Sequence, residues 1–118
     1  MPKPISRISK REPRKSRAAP SLPYELWLIE RLKDPAEAAA YLEAVLEEGD
    51  QAAIMLALRQ VAQAQGGLAK IARKAHLTRE ATYKMLSKSG NPELRSLSAV
   101  LKATGLRISV KPIEKQAA

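Results

Sequence analysis

The chain has 118 residues, no cysteine and one histidine, and its formal net charge is +9, from 21 Lys and Arg against 12 Asp and Glu. That length suits one domain with a tail and is too short for two cores; without thiols there is no disulfide framework or thiolate metal site, and neither metal nor cofactor is expected. No run of about 18 apolar residues is present to span a membrane, and the basic N-terminus lacks a signal peptide's apolar core, so a soluble cytoplasmic protein is expected.

The charge is unevenly spread: +6 over residues 1–20, −6 over residues 21–58 and +9 over residues 59–118. A basic C-terminal half suits phosphate, whereas an acidic middle is repelled by it and suits a basic protein. Two partners of opposite charge are implied.

Residues 1–20 hold Pro2, Pro4, Pro13 and Pro20 with seven basic side chains and no apolar period. Nothing there offsets the entropy of ordering, so they read as a disordered basic arm. An unstructured leader, a sequence-blind phosphate contact and a targeting tract all remain open for it.

From Leu22 a helix of nine or ten residues is expected, with Pro23 at its first position and Leu26 and Ile29, joined by Leu22 and Leu32, on its inward side. Trp27 and Leu28 form a second apolar flank. So short a helix must dock on something. Either Trp27 packs onto the main domain, or with Tyr24 it belongs to a partner surface, where aromatics are favoured.

Asp34-Pro35-Ala36-Glu37 reads as a helix start: Asp34 caps, Pro35 needs no N–H in the first turn, and Glu37 can reach back to the cap. This helix should run to Glu48 and stop at Gly49, with Tyr41, Leu42, Val45 and Leu46 as its apolar stripe. Glu37, Glu43, Glu47 and Glu48 make a solvated or partner-facing surface rather than a catalytic carboxylate pair. Residues 21–49 thus form a helical extension whose candidate partner-contacting residues are Tyr24, Trp27, Glu37, Tyr41, Glu43 and Glu47. Asp50 should cap the next helix, which runs to about Gln65. Ile54, Met55, Ala57, Leu58, Val61 and Ala62 leave it little polar surface beyond Arg59, Gln60 and Gln63, so it should be central to the core.

Residues 66–92, GGLAKIARKAHLTREATYKMLSKSGNP, read as two short helices around a tight turn. Leu68, Ile71, Ala72 and Ala75 point inward on the first, and Lys70, Arg73 and Lys74 outward; small Ala72 permits close helix contact. Leu77 plugs the corner, Thr78 caps the second helix, and His76 stands where a positive φ is often needed. Thr82, Met85 and Leu86 face inward there, and Arg79, Glu80, Tyr83 and Lys84 outward. The pattern is that of a helix-turn-helix, whose second helix reads bases with residues near its N-terminus. Arg79 can donate to guanine O6 and N7, and Glu80 can accept from cytosine N4, with Tyr83 and Lys84 next along the face. Gly67, Leu68, Thr78, Ser87, Lys88 and Asn91 are the candidates for positioning on phosphate.

Gly90 should end that helix, and Asn91-Pro92 should open a last one with Leu94, Leu97, Val100 and Leu101 inward, ended by Gly105. Residues 106–111, LRISVK, alternate at period two and are stopped by Pro112, so a strand is expected. A lone strand needs a partner, so Leu106, Ile108 and Val110 are expected in a dimer or against a partner's sheet edge. Residues 50–111 make the DNA-binding domain with its terminal strand, and residues 112–118 a flexible tail.

The phrases LKDPAEAAAYLEAVLEEGD (residues 32–50), GGLAKIARKAHLTREATYKMLS (residues 66–87) and KSGNPELRSLSAVLKATGLRISV (residues 88–110), in that order and spacing, resemble the HigA-like addiction-module antidote proteins. These are antitoxins with an XRE-like helix-turn-helix of the lambda Cro and repressor class. The resemblance spans about residues 24–111; Thr82 stands where that class usually has a larger apolar residue, and residues 1–20 lie outside it. It implies an antitoxin that neutralises a cognate RelE/ParE-type toxin and represses their shared operon as a homodimer on double-stranded operator DNA.

The expected fold is therefore all-α, a lambda-repressor-like bundle of five helices after a short N-terminal helix, with a C-terminal strand. The alternatives are a stand-alone helix-turn-helix regulator and a protein-binding module that has lost DNA binding. No nucleophile-base pair, phosphate loop or metal spacing points to an enzyme.

Overall fold

The computed structural model describes residues 21–114, so the expected arm over residues 1–20 and the end of the expected tail lie outside the described residues. Six helices follow in order: α1 Leu22–Arg31, α2 Pro35–Glu48, α3 Gln51–Ala64, α4 Leu68–Lys74, α5 Arg79–Met85 and α6 Leu94–Ala103. The helix ends follow from side chains and backbone that satisfy groups the helix itself leaves unpaired. The Ser21 hydroxyl accepts from the Tyr24 N–H at 3.3 Å, and the Asp34 carboxylate from the Ala36 N–H at 3.0 Å. Glu37 does not reach back to its cap but pairs with Arg31 at 3.0 Å, clipping the end of α1 to the start of α2.

Helix α3 lies at the centre. Helices α1 and α2 pack on it from one part of the chain and α4 from the other, while α4 in turn packs on α5 and α6. Its Met55, Ala57, Leu58, Val61, Ala62 and Ala64 are buried together with Leu28, Leu32, Ala38, Leu42, Ile71, Leu86, Val100 and Leu101 in one cluster. The helical extension and the α4–α5 segment therefore share a single core. Removing this apolar surface from water is the main stabilising contribution, at about 25 cal/mol per Å².

Gln60, expected on the polar face of α3, is in fact buried. It accepts a 2.6 Å bond from the Tyr41 hydroxyl and donates to both Glu25 carboxylate oxygens at 3.2 Å, so its amide is satisfied inside the α1–α2–α3 junction. Gln65, at the end of α3, donates to the Leu32 and Lys33 carbonyls at 3.3 Å, pinning the turn between α1 and α2.

Three further expectations are corrected. On α1 the inward residues are Leu28 and Leu32, with Ile29 half-buried, while Leu26 is 62% exposed. The docking face is set by what α3 can cover, and the sequence of so short a helix offers more than one apolar stripe. Helix α6 begins at Leu94 with Glu93 in the cap position, not at Asn91-Pro92. Leu94, expected inward, is 71% exposed because it stands in the first turn, ahead of the face that Val100 and Leu101 bury. Residues 91–93 have no regular secondary structure and link the turn after α5 to α6.

The third correction concerns the terminal strand. No strand forms among the described residues, and residues 106–114 have no regular secondary structure. Leu106 is held by a helix-ending backbone bond from its N–H to the Leu101 carbonyl at 2.8 Å and packs against the core. Beyond it Ile108 is 43% and Val110 91% exposed. The period-two pattern is present, but a strand is defined by its pairing, and within the described chain no second strand faces it.

Burial raises the Tyr41 phenol above its ordinary value, with the Tyr24 phenol and the Glu25 carboxylate adding to the shift. A group whose folded pKa is raised gives stability that is complete below the unfolded value, about 10, and is lost as pH climbs through the folded value. Stability to urea should therefore fall from about pH 10 upward. Tyr41→Phe should make that alkaline fall shallower; an unchanged slope would show that folding does not raise the phenol's pKa.

Candidate nucleic-acid interface and partner face

The surface built by α4, α5 and their turn begins with the way α4 ends. The His76 N–H donates to the Arg73 carbonyl at 3.1 Å and the Leu77 N–H to the Ala72 carbonyl at 2.9 Å, the paired bonds of a Schellman cap. The residue in its left-handed position is His76, at φ 61°, as its place in the turn led one to expect. Leu77 then packs against the core, so the corner is fixed by both backbone bonds and burial.

Helix α5 starts at once. The Thr78 hydroxyl accepts from the Ala81 N–H at 3.0 Å, and the Thr78 carbonyl accepts from the Thr82 hydroxyl at 2.9 Å. Thr82 is fully buried, which explains how a small polar side chain serves where a larger apolar one is usual. Its methyl packs and its hydroxyl is satisfied within the helix.

The far end of α5 is held by α3. The Arg59 guanidinium donates to the Leu86 carbonyl at the helix end, and the Gln51 amide donates to the Gly90 carbonyl at 2.8 Å. Gly90 is buried, and a Cβ there would fall on the Met85 carbonyl. Sequence reasoning missed Arg59 and Gln51. Their only signal was polarity on a helix otherwise made for the core.

With both ends fixed, Arg79, Glu80, Tyr83 and Lys84 all stand exposed on α5, the Arg79 guanidinium lying over the Tyr83 ring at 5.5 Å from its centroid. Lys70, Arg73 and Lys74 are exposed on α4 beside it, and Lys88 and Asn91 after it. Ser87 is half-buried and donates to the Lys84 carbonyl at 2.8 Å. At the start of α4 the Gly67 N–H is already bonded to the Ala62 carbonyl at 2.9 Å. The N–H groups that open this helix are those of Leu68, Ala69 and Lys70, which have no partner within it.

The second surface is on α1 and α2. Tyr24 and Trp27 are 47% and 53% exposed, with ring centroids 5.6 Å apart, and Arg31 lies over Trp27 at 5.2 Å. Trp27 therefore does not pack into the core. Tyr24, Trp27, Glu37 and Tyr41 line one shallow groove with Arg31 and Ala40. Glu43 lines a different, larger groove with Leu42, Leu46, Ile54, Leu97, Leu106 and Ile108, and pairs with Lys111 at 3.4 Å. Glu47 is simply exposed.

A family model described as "probable addiction module antidote protein" matches residues 25–112, nearly the whole described chain. The chain belongs to this antidote family. An uncharacterised protein of Haemophilus influenzae is 37% identical to it over 84 residues, which are 71% of this chain and 86% of that protein. No solved structure matches. An antidote implies a toxin as partner, and the matched span includes the α4–α5 face and, apart from Tyr24, the α1–α2 face. No helix among the described residues of this antidote-family chain is long and apolar enough to cross a membrane.

The close approach at Gly90 gives a direct check on how α5 is held. Gly90→Ala should lower stability by about 1–3 kcal/mol through overpacking against the Met85 carbonyl. An unaltered urea midpoint would mean that the turn after α5 opens without cost.

Proposed function

We propose that this chain is an antitoxin with two binding activities and no catalytic one. It neutralises a cognate toxin of the RelE/ParE type and, as a cytoplasmic homodimer, represses its own operon. Residues 50–111 are the DNA-binding domain, with α4 and α5 as a HigA-like, Cro/repressor-type helix-turn-helix, and residues 21–49 supply the toxin-contacting surface. The observation that carries this reading is the fixed helix α5, capped at one end by Thr78 and held at the other by Arg59, with Arg79, Glu80, Tyr83 and Lys84 exposed along it.

A positioned helix of that chemistry suits a major groove, and the exposed cations of α4 and of the turn after α5 suit the phosphates on either side. In a dimer the two copies of α5 would read half-sites about 34 Å apart on a palindromic operator. The aromatic groove of Tyr24, Trp27 and Tyr41, which Glu37 also lines, suits a basic protein better than it suits DNA.

Co-expression with the product of the adjacent reading frame tests the toxin arm. Growth arrest caused by that product should be relieved by the full chain and not by one carrying Trp27→Ala and Tyr24→Ala together; rescue by neither would remove the antitoxin reading. On the DNA arm, Arg79→Ala should weaken specific operator binding by about 1–3 kcal/mol and relax specificity at one position. Lys88→Ala should weaken binding similarly on all sequences and flatten its salt dependence, by about one unit in the slope of log K against log salt. Mobility shifts over a salt series separate the two, and a uniform loss for Arg79→Ala would take it out of the reading set.

A further inference from the structure

The outward face of α5 carries one contact that charge pairing does not account for. Among the described residues the ion pairs are Arg31 with Glu37, Lys33 with Glu30 and Lys111 with Glu43, all on other parts of the fold. Arg79 is adjacent to Glu80 in sequence, yet the contact it makes is with an aromatic ring. Its guanidinium carbon lies 5.5 Å from the centroid of Tyr83, which is 45% exposed and one helical turn further on.

From this we infer that Arg79 and Tyr83 act as one unit that reads a two-base-pair step: Arg79 a guanine, and Tyr83 the C5-methyl of a thymine in the neighbouring base pair. The inference rests on the proposed reading of α5 as a DNA-reading helix and specifies what that helix reads. A ring against one face of the guanidinium holds its plane and leaves its N–H edge free to donate two parallel bonds to guanine O6 and N7. Lys84 is a point charge without a fixed plane, and the Glu80 carboxylate can only accept, so neither can take that guanine edge in this way.

Spacing places the second half of the step. Residues four apart on a helix are separated by about 6 Å along its axis, and stacked base pairs by about 3.4 Å. A ring drawn back over the guanidinium is thus set against the base pair next to the guanine rather than one two steps away. In the major groove, the apolar feature that distinguishes one of the four ordinary bases is the thymine methyl, and the exposed part of the Tyr83 ring is the apolar surface that meets it. The phenol oxygen, at the far end of the ring, stays in water or on a phosphate.

The test is binding-site selection by the full-length protein from a random duplex pool, followed by mobility shifts on the enriched duplex. Enrichment should give a guanine with a thymine at an adjacent position in each half-site. Replacing that thymine by uracil, which removes only the methyl, should weaken binding by about fourfold, the transfer value of one such group. Replacing the guanine should weaken it by about ten- to a hundredfold. Tyr83→Ala should abolish the difference between thymine and uracil while keeping the guanine preference, and Arg79→Ala should abolish the guanine preference; thermal melts confirm that each variant is folded. Equal binding of thymine and uracil duplexes by the unsubstituted protein, which needs no variant, overturns the step while leaving α5 as a DNA-reading helix. A pool with no enriched sequence overturns both.

Discussion

The structure depends on covering α3. Its residues are so largely apolar that no single neighbour can shield it, and the chain meets this by bringing α1 and α2 to it from one side in sequence and α4 from the other. Helices of seven to ten residues such as α1, α4 and α5 are too short to stand alone in water, so each owes its existence to that shared core. Two faces of different chemistry thereby become parts of one rigid body instead of two separate modules.

The few polar side chains on α3 divide the work of joining those parts. Gln60 and Gln65 bind the α1–α2 end, through Tyr41, Glu25 and the carbonyls of Leu32 and Lys33. Gln51 and Arg59 bind the end of α5 and the turn after it. A half-buried hydrogen bond adds only about 1 kcal/mol net, so these contacts contribute less to stability than to orientation. They fix where α5 points, and that determines whether its exposed side chains can meet a groove edge together.

This arrangement gives physical content to membership of an antidote family. One face combines aromatic rings with carboxylates on α1 and α2, and the other combines exposed cations with a capped, outward helix. Phosphate favours the second and repels the first, while a basic protein does the reverse. The proposed double role thus needs no conformational change to keep the partners apart. The basic residues cluster late in the chain and the acidic ones in its middle.

The helices from Leu22 to Ala103 were legible because their signals are local: Asp34 and Thr78 as caps, prolines in first turns, glycine or His76 after the ends, and apolar residues at helical spacing. The outward set Arg79, Glu80, Tyr83 and Lys84 was legible for the same reason, since one buried face of a short helix determines the other. What tertiary structure alone decided were matters of partner choice. Leu28 and not Leu26 turns inward because α3 lies on that side; Gln60 is buried because Tyr41 and Glu25 arrive to satisfy it. Residues 106–111 alternate as a strand does and still form none, because pairing is a property of two segments and the pattern describes only one. Sequence by itself determined which helices form and which of their faces could be apolar; the fold determined which apolar face is covered and which polar atoms are matched, because both depend on atoms distant along the chain.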